Sequence, residues 1–394
     1  MGTESRVRVG DGGNAGQASL CPHFGVCGGC AAQDKDNATY GQWKRGFVEA
    51  ALRRAGVVAE VAELVSIPPF SRRRARFFAK HSETTLSLGF QARASHDVVD
   101  MTVCQVLDPG LFALTGPLRQ YFSDILDPGQ GAEAEAQIVS GVLDVLIRAT
   151  GRLDLERCQG LVDFAREAGI ARISWQGLHL DQGRRKGDRQ ARGGELKTAE
   201  VVAEFHPVTI RFGEVAVALP PMAFLQASDA GEALLVDSVT ASIPEDARVV
   251  DLYSGAGTFT FPLASSAKGV ARRVAAFDGD EVLIAALKTA ARGAGLGASV
   301  TGEVRDLARR PLRRDELGEF DAVIVDPPRA GAQAQARELA ASAVPLAVMV
   351  SCDPSSFARD AKILMDGGFT PGLITPVDQF VWSRHVELVA RFSR

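Results

Sequence analysis

The spacing of hydrophobic positions changes along the chain. From about Leu219 onward, short runs rich in β-branched residues alternate with stretches of helical periodicity, which is typical of βα units around a parallel sheet. The runs predict strands at 247–253, at 273–278, near 299–301, at 320–325 and at 346–351. The C-terminal half is therefore predicted to be a doubly wound α/β domain. Near the N-terminus, the spacing of residues 39–56 predicts a helix.

The same patterning divides the chain into segments. Residues 1–20 are Gly-rich and polar and are expected to form a flexible tail. The remaining segments are a cysteine loop at 21–38, a helical segment at 39–66, a central region at 67–218 and the α/β domain at 219–394. The predicted fold is thus an α/β doubly wound, Rossmann-like sheet with a central α+β or β-rich domain and an N-terminal cysteine cluster loop.

Composition and charge narrow the class of protein. The 394 residues are 46% apolar, enough for two or three globular domains, and contain neither a membrane-length apolar run nor a signal peptide. A cytoplasmic location is therefore expected. The net charge of -4 does not indicate a nucleic-acid-binding protein, although basic residues cluster locally. These clusters are Arg72-Arg73-Arg74-Ala75-Arg76 and Arg184-Arg185-Lys186 with Arg189 and Arg192.

Six cysteines without a secretory signal favour metal or catalytic use over disulfides. Cys21, Cys27 and Cys30 lie in one glycine-containing loop, and Cys104 is the best candidate for a fourth ligand. Four thiolates suit either zinc or an iron–sulfur cluster, and His23 could replace a cysteine in a zinc site. Spacing leaves both possibilities open.

A glycine turn follows the first predicted strand of the α/β domain. The strand runs into Ser254-Gly255-Ala256-Gly257-Thr258, and a helix is predicted to begin near Phe259. Asp251 suits an amino-acid-bearing cofactor better than a pyrophosphate. Asp278, at the end of the next strand, is the expected ribose ligand. Asp280 competes for this role, and either residue could instead cap the following helix.

Residues with reactive side chains follow the later strands. The segment Asp326-Pro327-Pro328-Arg329 predicts a rigid loop. Cys352 directly follows the predicted 346–351 strand and is expected at the same edge of the sheet. Glu387 lies among apolar strand residues. Taken singly, Cys352 is more commonly a buried small hydrophobe and Glu387 a surface carboxylate. Together at one cofactor crevice, they favour a covalent nucleophile and a base.

At this point the chain resembles the RNA uracil-C5 methyltransferases, the enzymes that make 5-methyluridine in tRNA and 23S rRNA. The resemblance runs from Cys21 to the C-terminus. It rests on six motifs in the family's order: the Cys-x5-Cys-Gly-Gly-Cys loop with Cys104, Phe224-Leu225-Gln226, Asp251-Leu252-Tyr253-Ser254-Gly255-Ala256-Gly257, Asp326-Pro327-Pro328-Arg329-Ala330-Gly331, Ser351-Cys352-Asp353-Pro354 and His385-Val386-Glu387.

The resemblance implies a function and a set of site residues. Cys352 would add to C6 of a uridine, C5 would accept the methyl group of S-adenosylmethionine, and Glu387 would remove the C5 proton. The cysteines Cys21, Cys27, Cys30 and Cys104 would hold a [4Fe-4S] cluster rather than zinc. The implied cofactor-binding residues are Gln226, Tyr253, Gly255, Asp278, Asp306 and Asp326. Helix 39–56 would pack on the catalytic domain, and the central region would bind RNA as part of a monomer.

Two departures from the family pattern matter. Some members carry an N-terminal RNA-binding barrel, for which the residues before Cys21 are too few, so RNA capture is expected at the central region through Arg72 to Arg76. Asp278 stands where the family usually has Glu. The cysteine loop without a barrel favours 23S rRNA as substrate. Alternatives are a tRNA enzyme, an enzyme acting on another nucleobase, and a non-catalytic iron–sulfur RNA-binding protein; the lack of a cysteine near Asp326 weighs against cytosine.

Overall fold

The computed structural model describes residues 20–178, 199–265 and 272–394. Apart from Leu20, the predicted tail lies outside the described residues, and so does the second basic cluster of Arg184, Arg185, Lys186, Arg189 and Arg192. In the described part of the chain, none of the helices is long and apolar enough to cross a membrane.

Strands dominate the centre of the chain, and strands alternate with helices after it. The helices of the described residues are α1 (Asn37–Ala55), α2 (Pro109–Ala113), α3 (Thr115–Ile125), α4 (Leu155–Glu167), α5 (Asp229–Ser242), α6 (Thr260–Ala264), α7 (Glu281–Gly293), α8 (Arg314–Leu317), α9 (Gln333–Ala340) and α10 (Pro354–Asp366). The strands are β1 (Val65–Ser66), β2 (Arg74–His81), β3 (Leu86–Gly89), β4 (Gly131–Val139), β5 (Val142–Thr150), β6 (Ile170–Leu178), β7 (Glu200–Glu204), β8 (Thr209–Phe212), β9 (Val215–Ala218), β10 (Val249–Leu252), β11 (Val274–Asp278), β12 (Val300–Val304), β13 (Ala322–Val325), β14 (Leu346–Ser351), β15 (Thr370–Pro371), β16 (Thr375–Asp378) and β17 (Glu387–Ser393).

A nine-stranded sheet forms the C-terminal half. Its order is β1-β16-β17-β14-β13-β10-β11-β12, with β15 also paired to β17. Strand β17 runs antiparallel to its neighbours, whereas β10 to β14 are parallel. The predicted doubly wound α/β fold is therefore confirmed. Because β11 and β13 lie on opposite sides of β10, the topology opens a crevice at the carboxyl ends of these strands.

The parallel strands are nearly continuous apolar runs because both faces of the sheet are covered. All residues of β10, β13 and β14 are buried. Successive residues enter different cores: Val249 belongs to the cluster on one face and Val250 to the cluster on the other. Strand β10 is shorter than the predicted 247–253 because Tyr253 already has a positive φ of 63° and starts the turn.

A second sheet occupies the central region, with the order β3-β2-β4-β5-β6-β7 and its own apolar core. Its strands pair antiparallel except for β5 and β6. Helix α1, which precedes this sheet in sequence, contacts α10 instead, and its residues Val48, Ala51 and Leu52 join a core of the nine-stranded sheet. Asp36 caps the start of α1, and Gly56 ends it with a φ of 69°.

Candidate active site

The crevice of the nine-stranded sheet contains a cavity of about 940 Å³. The structure places along it all the residues predicted from the sequence to bind cofactor or to react: Gln226, Tyr253, Gly255, Asp278, Asp306, Asp326, Cys352 and Glu387. They come from the ends of β10, β11, β13 and β14, from the start of β17, and from connecting segments. One cavity therefore joins the predicted cofactor site and the predicted reactive pair, while the role of each residue stays a prediction.

The glycine turn after β10 leaves room for a ligand. Gly255 and Gly257 have φ values of 54° and 108°, which side-chain-bearing residues rarely adopt. A Cβ at Gly257 would lie 2.6 Å from the Phe261 ring, so this glycine is required by packing. A Cβ at Gly255 would meet nothing within 4 Å, so the space above the turn is open.

The structure separates the two aspartates that competed for the ribose role. Asp278 accepts hydrogen bonds from the Gly255 N–H at 2.9 Å and the Asp280 N–H at 2.8 Å, which ties the turn to the end of β11. Asp280 accepts from the N–H groups of Val282 and Leu283 and so caps α7. Helix capping therefore accounts for Asp280, and Asp278 is the aspartate bonded to the glycine turn.

Two buried oxygens beneath and within the turn lack partners among the described residues. They are Oδ1 of Asp251 and the hydroxyl of Ser254, which lines the cavity. The other carboxylate oxygen of Asp251 accepts from the Thr260 hydroxyl at 2.6 Å, and burial raises the pKa of Asp251 to about 7. Since unsatisfied buried polar groups are costly, these atoms fit a site completed by a polar ligand.

The Asp326-Pro-Pro loop forms a second wall of the cavity. Gln226 Nε2 donates to Asp326 Oδ2 at 3.3 Å, and burial raises the pKa of Asp326. Gln379 was missed by the sequence reasoning: its Nε2 donates to Gln226 Oε1 at 3.0 Å, and its Oε1 accepts from the Ala227 N–H at 3.0 Å. The available signal was a polar Asp-Gln pair inside an otherwise apolar segment.

Strand pairing brings Cys352 and Glu387 together. Ser351, the last residue of β14, pairs with Leu388 of antiparallel β17, so Cys352 and Glu387 are the next residues beyond this pair. They lie close enough that the charge of Glu387 contributes to the raised pKa of Cys352. Glu387 is 3% exposed, and both side chains line the cavity. This arrangement permits attack by a sulfur and proton removal by a carboxylate on the same bound ring.

Burial is the main cause of the raised pKa of both Cys352 and Glu387. The pKa of Cys352 rises to about 11, chiefly through burial and further through the negative charges of Glu387 and Asp326, while Arg329 lowers it. Burial, together with repulsion from Asp326, also raises the pKa of Glu387 well above its usual range, again opposed by Arg329. A carboxyl with a raised pKa is a better general base near neutral pH.

Arginines and aromatic rings line the rim of the cavity. Arg74 stacks on the exposed Phe224 ring at 4.7 Å and Arg72 on Phe380 at 5.6 Å, and Arg76 and Arg329 also line the cavity. The expectation that all arginines of the first basic cluster face RNA is wrong for one of them. Arg73 is 3% exposed and pairs with Asp229 and Glu232, because it precedes β2 at a position that faces α5.

The cysteine loop borders a second cavity of about 960 Å³. All four predicted cysteine ligands line it, and the pKa of Cys30 rises to about 12 through burial and then through Cys104, Cys27 and Cys21. Within the described ranges, however, no group of three or more Cys, His, Asp or Glu side chains has metal-binding geometry. The His23 ring accepts a hydrogen bond from the Thr102 N–H at 3.0 Å.

Comparisons with known proteins agree with this geometry. A family model described as tRNA (Uracil-5-)-methyltransferase matches residues 223–393. An uncharacterized RNA methyltransferase of Mesorhizobium japonicum is 37% identical over 95% of this chain and 84% of its own length. The 23S rRNA (uracil(1939)-C(5))-methyltransferase of Edwardsiella ictaluri is 30% identical over 95% of this chain and 82% of its own length.

A solved structure shares the fold. The crystal structure of the Pyrococcus abyssi tRNA (uracil-54, C5)-methyltransferase, in complex with S-adenosyl-L-homocysteine, superimposes with a TM-score of 0.65 at 23% identity. The match covers 92% of this chain and 85% of the archaeal one, so the likeness extends across both sheets.

Proposed function

This chain belongs to the RNA uracil-C5 methyltransferase family, and from that premise we propose that it methylates C5 of a uridine in 23S rRNA through a covalent bond between Cys352 and C6. The observation that carries the proposal is the position of Cys352 and Glu387, which adjoin the last pair of the β14–β17 ladder and line one cavity with the Asp326-Pro-Pro loop.

The chemistry requires both residues. C5 of uracil is too weakly nucleophilic to take a methyl group unaided. Addition of the Cys352 thiolate to C6 moves the ring's double-bond electrons to form an enolate, whose C5 then bonds to the methyl carbon. The carboxylate of Glu387 removes the C5 proton, the C5=C6 bond re-forms, and the C6–S bond breaks to release the thiolate. The products are 5-methyluridine, S-adenosylhomocysteine and a proton.

S-adenosylmethionine supplies the methyl group as a sulfonium, and the residues around the glycine turn suit it. We assign the ribose hydroxyls to Asp278, with Gln226, Tyr253, Gly255, Asp306 and Asp326 around the remainder of the cofactor. Three observations support the fit: the open space over Gly255, the unpaired Ser254 hydroxyl lining the cavity, and the buried carboxyl of Asp326. The carboxyl of Asp326 would complement a nearby sulfonium charge.

The RNA is assigned to the rim shared by both cavities. Arg72, Arg76, Arg329 and the half-buried Phe380 line the two cavities at once, and arginines beside an aromatic ring suit phosphates and unstacked bases. The target uridine must be swung out of its stack to reach Cys352. The relative that acts on 23S rRNA supports that RNA as the substrate. In this assignment residues 67–218 bind RNA and residues 219–394 catalyse; a cytoplasmic monomer stays a prediction.

Cys21, Cys27, Cys30 and Cys104 are proposed to hold a [4Fe-4S] cluster. Their thiols border one cavity and are close enough to raise the pKa of Cys30, and a thiolate set is what such a cluster requires. The cluster would join the 21–38 loop to the central region. No chemical step of the methylation depends on it.

The proposal is tested with RNA that contains 5-fluorouridine at the target position. We expect the protein, with S-adenosylmethionine, to form a denaturation-resistant adduct whose cross-linked peptide contains Cys352. Mapping 5-methyluridine in RNA from cells lacking the protein should show its loss at one 23S rRNA position. Absence of an adduct refutes the mechanism, and loss of the modification from tRNA alone refutes the rRNA assignment.

A further inference from the structure

The general base lies at the end of an irregular loop, 379–386, which connects β16 to β17. Glu387 is the first residue of β17 and pairs with Val377 of β16, so this loop and the sheet together determine where its carboxyl lies. Phe380 and His385 of the loop line the cysteine cavity, and Phe380 also lines the catalytic cavity. Residues that hold the loop therefore control the geometry of proton removal.

A buried ammonium group holds both ends of the loop. Lys44 of α1 is fully buried and forms an ion pair with Asp378 of β16 at 2.7 Å. Its Nζ also donates to the Phe380 carbonyl at 3.0 Å and to the His385 carbonyl, two residues before Glu387. Burial lowers the pKa of Lys44, and Asp378 opposes that effect. Burying a lysine ammonium costs desolvation free energy, and packing of the core alone would not require a charged group at this position.

The middle of the loop is held by a second side chain from the same helix. The Tyr40 hydroxyl donates to Asp378 Oδ2 at 2.6 Å and accepts from the Trp382 N–H at 2.7 Å. Trp382 has a positive φ of 58°, a conformation that a bulky residue keeps only when its surroundings impose it. The Trp382 carbonyl in turn accepts from the Ala31 N–H of the cysteine loop at 2.6 Å.

We propose that Lys44 and Tyr40 are positioning residues for Glu387, which hold loop 379–386 so that the carboxyl reaches the C5 proton of the bound uridine. The inference rests on the proposed function. It assigns to the N-terminal helix a part in the last chemical step, the release of the methylated product from Cys352. Bond formation between Cys352 and C6, and methyl transfer to C5, precede that step and do not need Glu387.

Because proton removal follows adduct formation and methyl transfer, slowing it has a specific and testable effect. With ordinary uridine RNA, wild-type protein releases its adduct rapidly, whereas slow proton removal makes the adduct accumulate. We expect Lys44→Met to accumulate adduct on ordinary RNA and to lower kcat by about 10- to 100-fold, the scale of a misplaced catalytic group. The affinity for RNA, measured without S-adenosylmethionine, and the trapping of 5-fluorouridine RNA should stay within about twofold of wild type, because neither depends on proton removal, whereas KM should fall together with kcat as the adduct accumulates.

Two further variants keep the test decisive. Tyr40→Phe removes one hydroxyl without leaving a buried charge, and it should show the same accumulation to a smaller degree. Val48→Ala opens a cavity on the same helix and removes none of the hydrogen bonds to the loop, and it should show no accumulation even if it lowers Tm equally. Trapping without accumulation in folded Lys44→Met, or in Tyr40→Phe should the first variant not fold, overturns the inference. Failure of the wild type to trap 5-fluorouridine RNA refutes the proposed function instead.

Discussion

The catalytic cavity and the cysteine cavity were both predicted from clusters of residues, but they are built differently. The catalytic cavity is bounded by strand ends whose positions follow from hydrogen-bonded register, such as the rung between Ser351 and Leu388. The cysteine cavity is bounded by turns and an isolated bridge between Cys27 and Ala92. Its four thiols share a space without reaching ligand geometry within the described residues.

The difference shows what a sheet supplies without a ligand. The pairing of β14 with β17 ends at Ser351 and Leu388, so the hydrogen bonds of the sheet bring the adjoining residues Cys352 and Glu387 close together. The cysteine loop has few such bonds, so we expect its final arrangement to depend on the proposed cluster. We therefore expect the catalytic cavity to keep its shape when the cysteines of the loop are replaced.

The largest effect on the catalytic cavity is expected from Cys352→Ala. We expect methylation to fall by at least about 10⁴-fold, because loss of a covalent nucleophile removes the pathway itself. Affinity for S-adenosylmethionine, measured by calorimetry, should stay nearly unchanged. Cys158→Ala, in α4 of the central region, is the matched control and should retain activity. Residual turnover of the Cys352 variant near wild-type level would exclude the covalent mechanism.

The cysteine side is tested by Cys30→Ser. Iron bound per chain should fall close to zero, and the 21–38 segment should become sensitive to protease, because thiolates are the cluster's ligands. Calorimetry should still detect binding of S-adenosylmethionine with an affinity close to that of wild type. Cys158→Ser should keep its iron. A wild-type protein purified anaerobically that binds zinc and no iron would contradict the cluster assignment.

A smaller effect separates two neighbouring aspartates. Asp278→Ala should weaken S-adenosylmethionine binding about tenfold, as expected for one lost charge-assisted hydrogen bond. Asp280→Ala should instead lower the free energy of unfolding by about 1 kcal/mol through loss of the α7 cap, without weakening binding. Calorimetry and denaturant melts measure the two quantities. The reverse assignment holds if Asp280→Ala has the larger effect on affinity.

The pH dependence gives the finest test. Attack requires deprotonated Cys352 and proton removal requires deprotonated Glu387, so the rate should rise with pH over the range in which these groups titrate. Arg329 lowers the pKa of both groups. Arg329→Gln should therefore move the rising limb of kcat/KM to higher pH, and Arg329→Lys should restore it. An unmoved limb in the glutamine variant would show that neither group limits the rate.

The sheet and the reactive pair could be predicted because their signals are local. Buried parallel strands are uninterrupted apolar runs, and residues that follow such runs collect at one edge of a doubly wound sheet. Cys352, Asp326 and Asp278 each follow a strand directly or end it, so their common location needed no knowledge of side-chain packing.

The remaining features depend on contacts between distant segments. Nothing local distinguishes Arg73, which pairs with acids of α5, from the arginines beside it that line the cavity. Nothing in the local sequence distinguishes Lys44 from an ordinary polar residue of a helix, because its partner Asp378 lies far along the chain. Gln379 likewise gains its role only through Gln226. Such residues are selected by tertiary packing, which spacing and composition do not encode.

The reversed direction of β17 has a mechanical consequence. Cys352 and Glu387 adjoin the last pair of the β14–β17 ladder, Ser351 and Leu388, so bending of the sheet should change the distance between sulfur and carboxylate little. The Asp326-Pro-Pro loop follows β13, which is not hydrogen-bonded to β17, so its position is set independently of that ladder. We therefore expect substitutions in that loop to alter the fit of the base without changing the separation of the two reactive side chains.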